Sequence, residues 1–192
     1  MDEPYLIRQA QKGDVNAFNT LVLHYQDLAF GVAYRIMGEP DGAADATQDA
    51  FIKAYQKLNT FSDGNFKAWL LRIVTNQCYD LLKYHKRRPR SSLDEMEEEN
   101  ESSSWLKSDA LRPEDQQQRA ELFAAIQNCL DDLPEDQRVV AVLCDVEGYD
   151  YQTAADIAET SLGTVKSRLS RARTKLRDCL RGFMELLPDK YR

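Results

Sequence analysis

Apolar residues recur at Phe18, Leu21, Val22, Tyr25, Leu28, Val32 and Ile36. That i, i+3, i+4 spacing draws one broad stripe along a helix, with Asp14 as its N-cap and Gly38 as its end. A shorter helix is predicted before it over residues 4–12, closed by Gly13. After Glu39-Pro40-Asp41-Gly42 a third helix runs to about residue 58, with Thr47, Phe51, Ala54, Tyr55 and Leu58 facing inward. Residues 61–65 read as a tight loop. The following helix, 66–88, buries Trp69, Leu70, Ile73, Val74, Leu81 and Leu82, and Pro89 stops it.

The pattern then lapses. Residues 91–112 are rich in Ser, Glu and Asp and too poor in apolar side chains to offset the entropy of ordering them. They are expected to form a linker, with Trp105 and Leu106 as a docking point on another surface. Periodicity resumes near Pro113, with Leu122, Phe123, Ile126 and Leu130 inside a helix that leads to Leu133-Pro134-Glu135. Residues 139–146 are β-branched enough for a strand, but Pro134, the acidic first turn and Gly148 beyond them favour a helix. Asp150 caps a short helix over 151–158, residues 159–161 form a turn, and a long helix runs from 162 to about 187. A short helix, a tight turn and a longer basic helix make a helix-turn-helix. The expected fold is all-α: two small helical domains, 1–90 and 113–192, joined by a flexible acidic linker, 91–112.

A chain with 43% hydrophobic and 30% charged residues is expected to fold. Its net charge of −7 argues against a nucleic-acid partner only as a sum. Residues 83–90 hold five Lys or Arg, 93–101 hold six acidic residues and no basic one, and 162–182 hold seven Lys or Arg against Asp178 alone. Two basic segments flank an acidic one. The acidic start lacks a signal core, and no apolar run is long enough to cross a bilayer, so a cytoplasmic location without direct membrane insertion is expected. Cys78, Cys129, Cys144 and Cys179 stand singly, which favours reduced, buried cysteines over a disulfide framework. His24 and His85 lack a Glu three residues earlier, and no phosphate loop or nucleophile elbow is present. Neither an enzymatic activity nor a cofactor or metal is expected.

On the last helix Val165, Leu169, Ala172 and Leu176 form one inward stripe. Ser167, Ser170, Arg171 and Thr174 point the opposite way. Lys166 and Arg173 lie on one flank, Arg168 and Lys175 on the other, and Thr164 stands at the helix start. Short polar side chains and an arginine suit base edges in a major groove, and flanking cations suit phosphates on both strands. A merely solvated face would mix charge signs, and acidic residues are nearly absent here.

Several segments carry a family resemblance. Leu133-Pro134-Glu135-Asp136-Gln137-Arg138, Glu147-Gly148-Tyr149-Asp150-Tyr151 and the run from Leu162-Gly163-Thr164-Val165-Lys166 to Arg171-Ala172-Arg173 resemble region 4 of an extracytoplasmic-function (ECF) sigma factor of bacterial RNA polymerase. Asp45-Ala46-Thr47-Gln48-Asp49-Ala50-Phe51 resembles region 2.2, and Phe66-Lys67-Ala68-Trp69-Leu70-Leu71-Arg72-Ile73-Val74-Thr75-Asn76 resembles the region 2.3–2.4 helix. The likeness covers nearly the whole chain except the linker.

The resemblance implies a factor that binds core RNA polymerase and directs initiation, region 4 reading the promoter −35 element as duplex. Lys166, Ser167, Ser170 and Arg171 fall on its contacting positions. Ser170 stands where many relatives carry an aromatic or His, so no −35 sequence is implied. Region 2 is implied to capture the −10 element as a single strand, which requires a pocket and stacking surfaces. Phe61, Ser62, Asp63, Asn65 and Phe66 match that segment, with Asn76, Tyr79 and Asp80 beyond it and Lys83, Lys86, Arg87 and Arg88 placed to hold backbone. Ordinary core packing is the competing reading for Phe61 and Phe66, and the favoured one for Trp69. Asp45, Gln48, Asp49, Ile52 and Gln56 are implied to dock on the β′ clamp helices of polymerase, where complementary charge steers association; region 4 is implied to meet the β flap. An anti-sigma factor, often membrane-bound, is the implied regulator, and the short C-terminal tail favours such separate control. Against this stand a free helix-turn-helix repressor, which would bind palindromic duplex as a dimer, and a helical enzyme, which would need a clustered polar pocket.

Overall fold

The computed structural model describes residues 1–62, 64–87 and 113–186. All its regular elements are helical: α1 (Glu3–Gln11), α2 (Val15–Met37), α3 (Pro40–Lys57), α4 (Phe66–Arg87), α5 (Pro113–Asp131), α6 (Glu135–Ala141), α7 (Tyr151–Ile157) and α8 (Leu162–Leu180). Local chemistry sets their ends. Asp14 Oδ1 accepts from the N–H groups of Asn16 and Ala17, and Asp150 Oδ1 from those of Gln152 and Thr153. These bonds satisfy amides that the first helical turn leaves without partners. Bonds from the Thr153 hydroxyl and amide hold the exposed Asp150 carboxyl below its ordinary pKa.

Gly38 ends α2 in the left-handed region at φ 82°, and a β-carbon there would sit 2.7 Å from Asp131 Oδ1. Gly38→Ala is therefore expected to destabilise the fold by about 1–2 kcal/mol. Urea denaturation measures this, and an unchanged midpoint would contradict the assignment.

Helices α1–α4 pack around Phe18, Leu21, Val32, Ile36, Phe66, Leu70 and Val74, all buried. The C-terminal half packs α5–α8 around Leu130, Val139, Leu143, Ile157, Val165 and Leu169. The two cores are continuous, because α2 meets α5 and α6 while α4 meets α7. Arg138, on α6, is 8% exposed and crosses this seam: its Nη1 donates to Ile36 O at 2.7 Å and to Asp131 Oδ1 at 3.2 Å, and its Nη2 to Asp131 O at 2.7 Å.

Four features depart from the sequence reading. Residues 142–146 form a π-helical turn, with Glu147 N donating to Val142 O, so the helix predicted there widens before Gly148. Tyr55 is 41% exposed although its ring packs on Phe18, and Phe123 is 38% exposed because Ala125 and Cys129 take the inner face of α5. Cys129 and Cys179 form a disulfide tying α5 to the end of α8, against the expectation of reduced cysteines; the fold brings their Cα atoms to 5.8 Å across 50 residues of sequence. After Leu180 the long helix tightens into a 3₁₀ segment, Arg181–Leu186. The expected linker, with Trp105 and Leu106, lies outside the described residues.

Candidate nucleic-acid interface

Helix α8 follows α7 through residues 158–161, and Ser161 caps it by accepting from Thr164 N at 3.1 Å. The Thr164 hydroxyl lies 2.8 Å from Ser161 Oγ, so this half-buried residue serves the cap. Val165, Leu169 and Ala172 are buried as the period requires. Ser167, Ser170, Arg171 and Thr174 are exposed on the opposite side, and Lys166 and Lys175 are exposed on its two flanks. Lys166, Arg171 and Lys175 have no ion-pair partner among the described residues. Lys166, Ser170 and Thr174 also line, with Tyr151, a shallow groove of about 460 Å³.

The other three arginines of α8 are already engaged, Arg177 by the neighbouring Asp178 at 3.4 Å. Arg168 Nε lies 2.8 Å from Asp136 Oδ2 on α6. Arg173 forks onto Asp145, with Nη2 2.6 Å and Nε 3.1–3.2 Å from its oxygens, and reaches Tyr151 Oη at 3.5 Å. The hydrogen bond to Asp145 raises its pKa further. The Arg168 and Arg173 pairs brace α8 against the preceding helices, which fixes its pose. Helical geometry alone had put both arginines on the phosphate-facing flanks; it could not show the carboxylates opposite them.

The N-terminal candidates divide similarly. Phe61 and Phe66 are 9% and 2% exposed, their rings 5.5 Å apart edge to face, with Trp69 5.4 Å from each. Both belong to the core in this conformation, because aromatic rings of that size gain more by burial than by waiting for a base. Asn65 Oδ1 caps α4 by accepting from Ala68 N at 3.0 Å. Ser62, Asp80, Lys83 and Lys86 are exposed, Asn76 and Tyr79 half-buried. Arg87 ends α4, while Asp63 and Arg88 lie outside the described residues. Sequence reasoning missed Arg72, which is exposed four residues before Asn76 on the same helix face; that spacing was the available signal.

On α3, Asp45, Gln48, Asp49, Ile52 and Gln56 are all exposed and share one side, Ile52 being 49% exposed. No group of three or more metal-ligating side chains occurs among the described residues, nor any helix long and apolar enough to cross a membrane.

A braced basic helix after a tight turn defines a helix-turn-helix DNA-binding protein. Comparison narrows this class. Residues 21–88 match Sigma-70 region 2, and 123–176 match Sigma-70, region 4. The chain is 37% identical over 175 residues to the ECF RNA polymerase sigma-E factor of Escherichia coli strain K12, covering 90% of this chain and 91% of that one. It is 36% identical over 182 residues to the RNA polymerase sigma-H factor of Pseudomonas aeruginosa, covering 93% and 94%. Among solved structures it resembles CnrH in complex with the cytosolic domain of CnrY, with a TM-score of 0.65, 28% identity and 95% and 99% coverage. It also resembles the sigma factor RpoE in complex with the anti-sigma factor NepR from Bartonella quintana, with a TM-score of 0.67, 27% identity and 87% and 98% coverage. The chain belongs to the ECF sigma factors, and so directs promoter-specific initiation of transcription.

Proposed function

We propose that this cytoplasmic factor grips a promoter at two points while bound to core RNA polymerase. The exposed α8 face reads −35 duplex: Ser167, Ser170 and Arg171 meet base edges, and Lys166, Thr174 and Lys175 meet phosphates. The α4 face, with Asn76, Tyr79, Lys83, Lys86 and Arg87, takes the −10 strand. The α3 face docks on the β′ clamp helices, and the C-terminal half meets the β flap. Polymerase performs the chemistry, and the factor itself catalyses nothing. An anti-sigma factor holds it inactive, as the complexes of its structural relatives suggest.

The observation that carries this reading is the sorting of charge on α8. Arg168, Arg173 and Arg177 are neutralised by Asp136, Asp145 and Asp178, whereas Lys166, Arg171 and Lys175 have no such partner among the described residues. Transcription in vitro with purified core polymerase on a promoter library tests it. Initiation at a defined promoter set is expected; tight binding to free duplex without initiation on any template would contradict it.

Docking has its own test. Asp49→Lys is expected to weaken core binding at least tenfold, because it reverses a charge on the docking face while leaving the buried side of α3 unchanged. Retained core affinity would remove the clamp assignment.

A further inference from the structure

Gln11 ends α1 and is half-buried, yet its side chain serves a segment far along the chain. Its Nε2 donates to Leu58 O at 3.0 Å and to Phe61 O at 2.7 Å. A primary amide nitrogen carries two hydrogens, so both of its donors serve this one turn. Between the two carbonyls lies a 3₁₀ turn, Leu58–Thr60, closed by Phe61 N donating to Leu58 O at 3.1 Å. The amide brackets that turn from outside and fixes the peptide from which the chain leaves it. Helix α1 does not need Gln11 to stay in place, because Ile7 and Ala10 are buried and Asp2 caps its first turn. The amide acts on the turn, not on the seating of its own helix.

The chain that leaves the turn is one of the segments matched to −10 capture, and its two ends are fixed. Phe61 and Phe66 bury their rings against each other and against Trp69. Gln11 holds the Phe61 carbonyl, and Asn65 Oδ1 accepts from Ala68 N. Between these anchors Ser62, Gly64 and Asn65 are exposed, and a β-carbon at Gly64 would meet nothing within 4 Å. Polar groups standing clear of the body between two buried rings can receive an unstacked base, provided the anchors do not shift. Such a site depends on the groups behind it, since a loose anchor adds an ordering cost to every encounter.

We propose that Gln11 is a positioning residue for −10 recognition. Its amide sets the pose of the Leu58–Phe61 turn, and through it the pose in which Ser62 and Asn65 meet a single-stranded base. Gln11 itself touches no DNA. The proposal rests on the −10 assignment above and extends the recognition machinery to α1, which precedes the residues 21–88 matched to Sigma-70 region 2.

The test uses holoenzyme assembled from the full chain, on a promoter recovered from the library and on copies with each −10 or −35 base replaced in turn. The readout is the ratio of initiation on the parent promoter to initiation on each copy. Gln11→Met keeps the length of the side chain and removes its donors. It is expected to lower the ratio about fivefold or more at one or more −10 positions and to leave every −35 ratio within about twofold. Its melting temperature should fall by no more than about 4 °C. Gln11→Lys returns donors to the same place and should keep the wild-type ratios within about twofold. Unchanged −10 ratios in Gln11→Met would overturn the positioning role and leave the −10 assignment standing. Equal losses at −10 and −35 positions would mark a general defect of the fold, and equal losses in the two variants a role without the donors; either would overturn it. Wild-type initiation indifferent to every −10 replacement would overturn the −10 assignment and the positioning role together.

Discussion

Arg138→Ala is expected to cost about 3 kcal/mol of stability, well above the effect of truncating an exposed side chain. The side chain is nearly enclosed, and its guanidinium serves Ile36 O, Asp131 O, Leu133 O and Asp131 Oδ1. Truncation leaves three carbonyl oxygens without this donor and the Asp131 carboxylate without its cation. A fully buried pair would cost more, but the Asp131 side chain is 37% exposed and water compensates part of the loss. The defect should depend on pH. Desolvation already raises the Asp131 pKa, opposed by a bond from Gln127 and by the charge of Arg138. Without Arg138 it rises further. A carboxyl whose folded pKa lies above its unfolded value adds stability that is fully present below the unfolded pKa and is lost as pH rises through the folded one. The Arg138→Ala deficit should therefore be largest at neutral pH and smaller below the ordinary carboxylate range. Denaturant titrations at two pH values measure this, and a deficit under about 1 kcal/mol at neutral pH would contradict the role assigned to Arg138.

Arg171→Ala is expected to lower promoter-specific initiation by about tenfold or more while core binding stays unchanged. Arginine presents a planar fork of donors that matches a guanine edge, and such a pair contributes about 1–3 kcal/mol of discrimination. Arg171 is exposed on the side of α8 opposite Val165 and Leu169, and no carboxylate among the described residues competes for it. Folding should be untouched, since the braces of α8 are Arg168 and Arg173. Lys166→Ala should act differently: removing a cation that holds a phosphate weakens binding to all sequences alike and lowers its salt dependence by about one unit of slope. Run-off transcription at several salt concentrations separates the two, and parallel loss of core binding in Arg171→Ala would contradict the assignment.

What the sequence made legible was local. The stripe through Phe18, Leu21 and Ile36, the glycine stop at 38 and the caps at Asp14 and Asp150 follow from periodicity and from the chemistry of helix ends, and the structure has each of them. The outer face of α8 was readable for the same reason, because helical geometry alone turns Ser170 and Arg171 away from the stripe of Val165, Leu169 and Ala172. Contacts between distant segments were not readable. Neither the Arg173–Asp145 fork nor the pairing of Cys129 with Cys179 leaves a sequence signal, since each depends on how the helices cross. Phe123 and Tyr55 lie outward because smaller neighbours, Ala125 and Ala54, suit the close helix approaches inside. Glu159 had appeared as an ordinary turn residue; only the packing of α7 on α4 aims it at Arg72 and Asn76.

A grip at two points with different tasks is tested most directly by run-off transcription with core polymerase on paired templates, one fully duplex and one opened in advance across the −10 element. Asn76→Ala with Lys83→Ala should impair initiation on the duplex template and recover at least partly on the opened one, because the cost of melting has been removed. Arg171→Ala should remain impaired on both, because its −35 contact is to duplex in either case. Recovery of Arg171→Ala on the opened template to the same extent as the α4 variant would contradict the division of labour between the two faces.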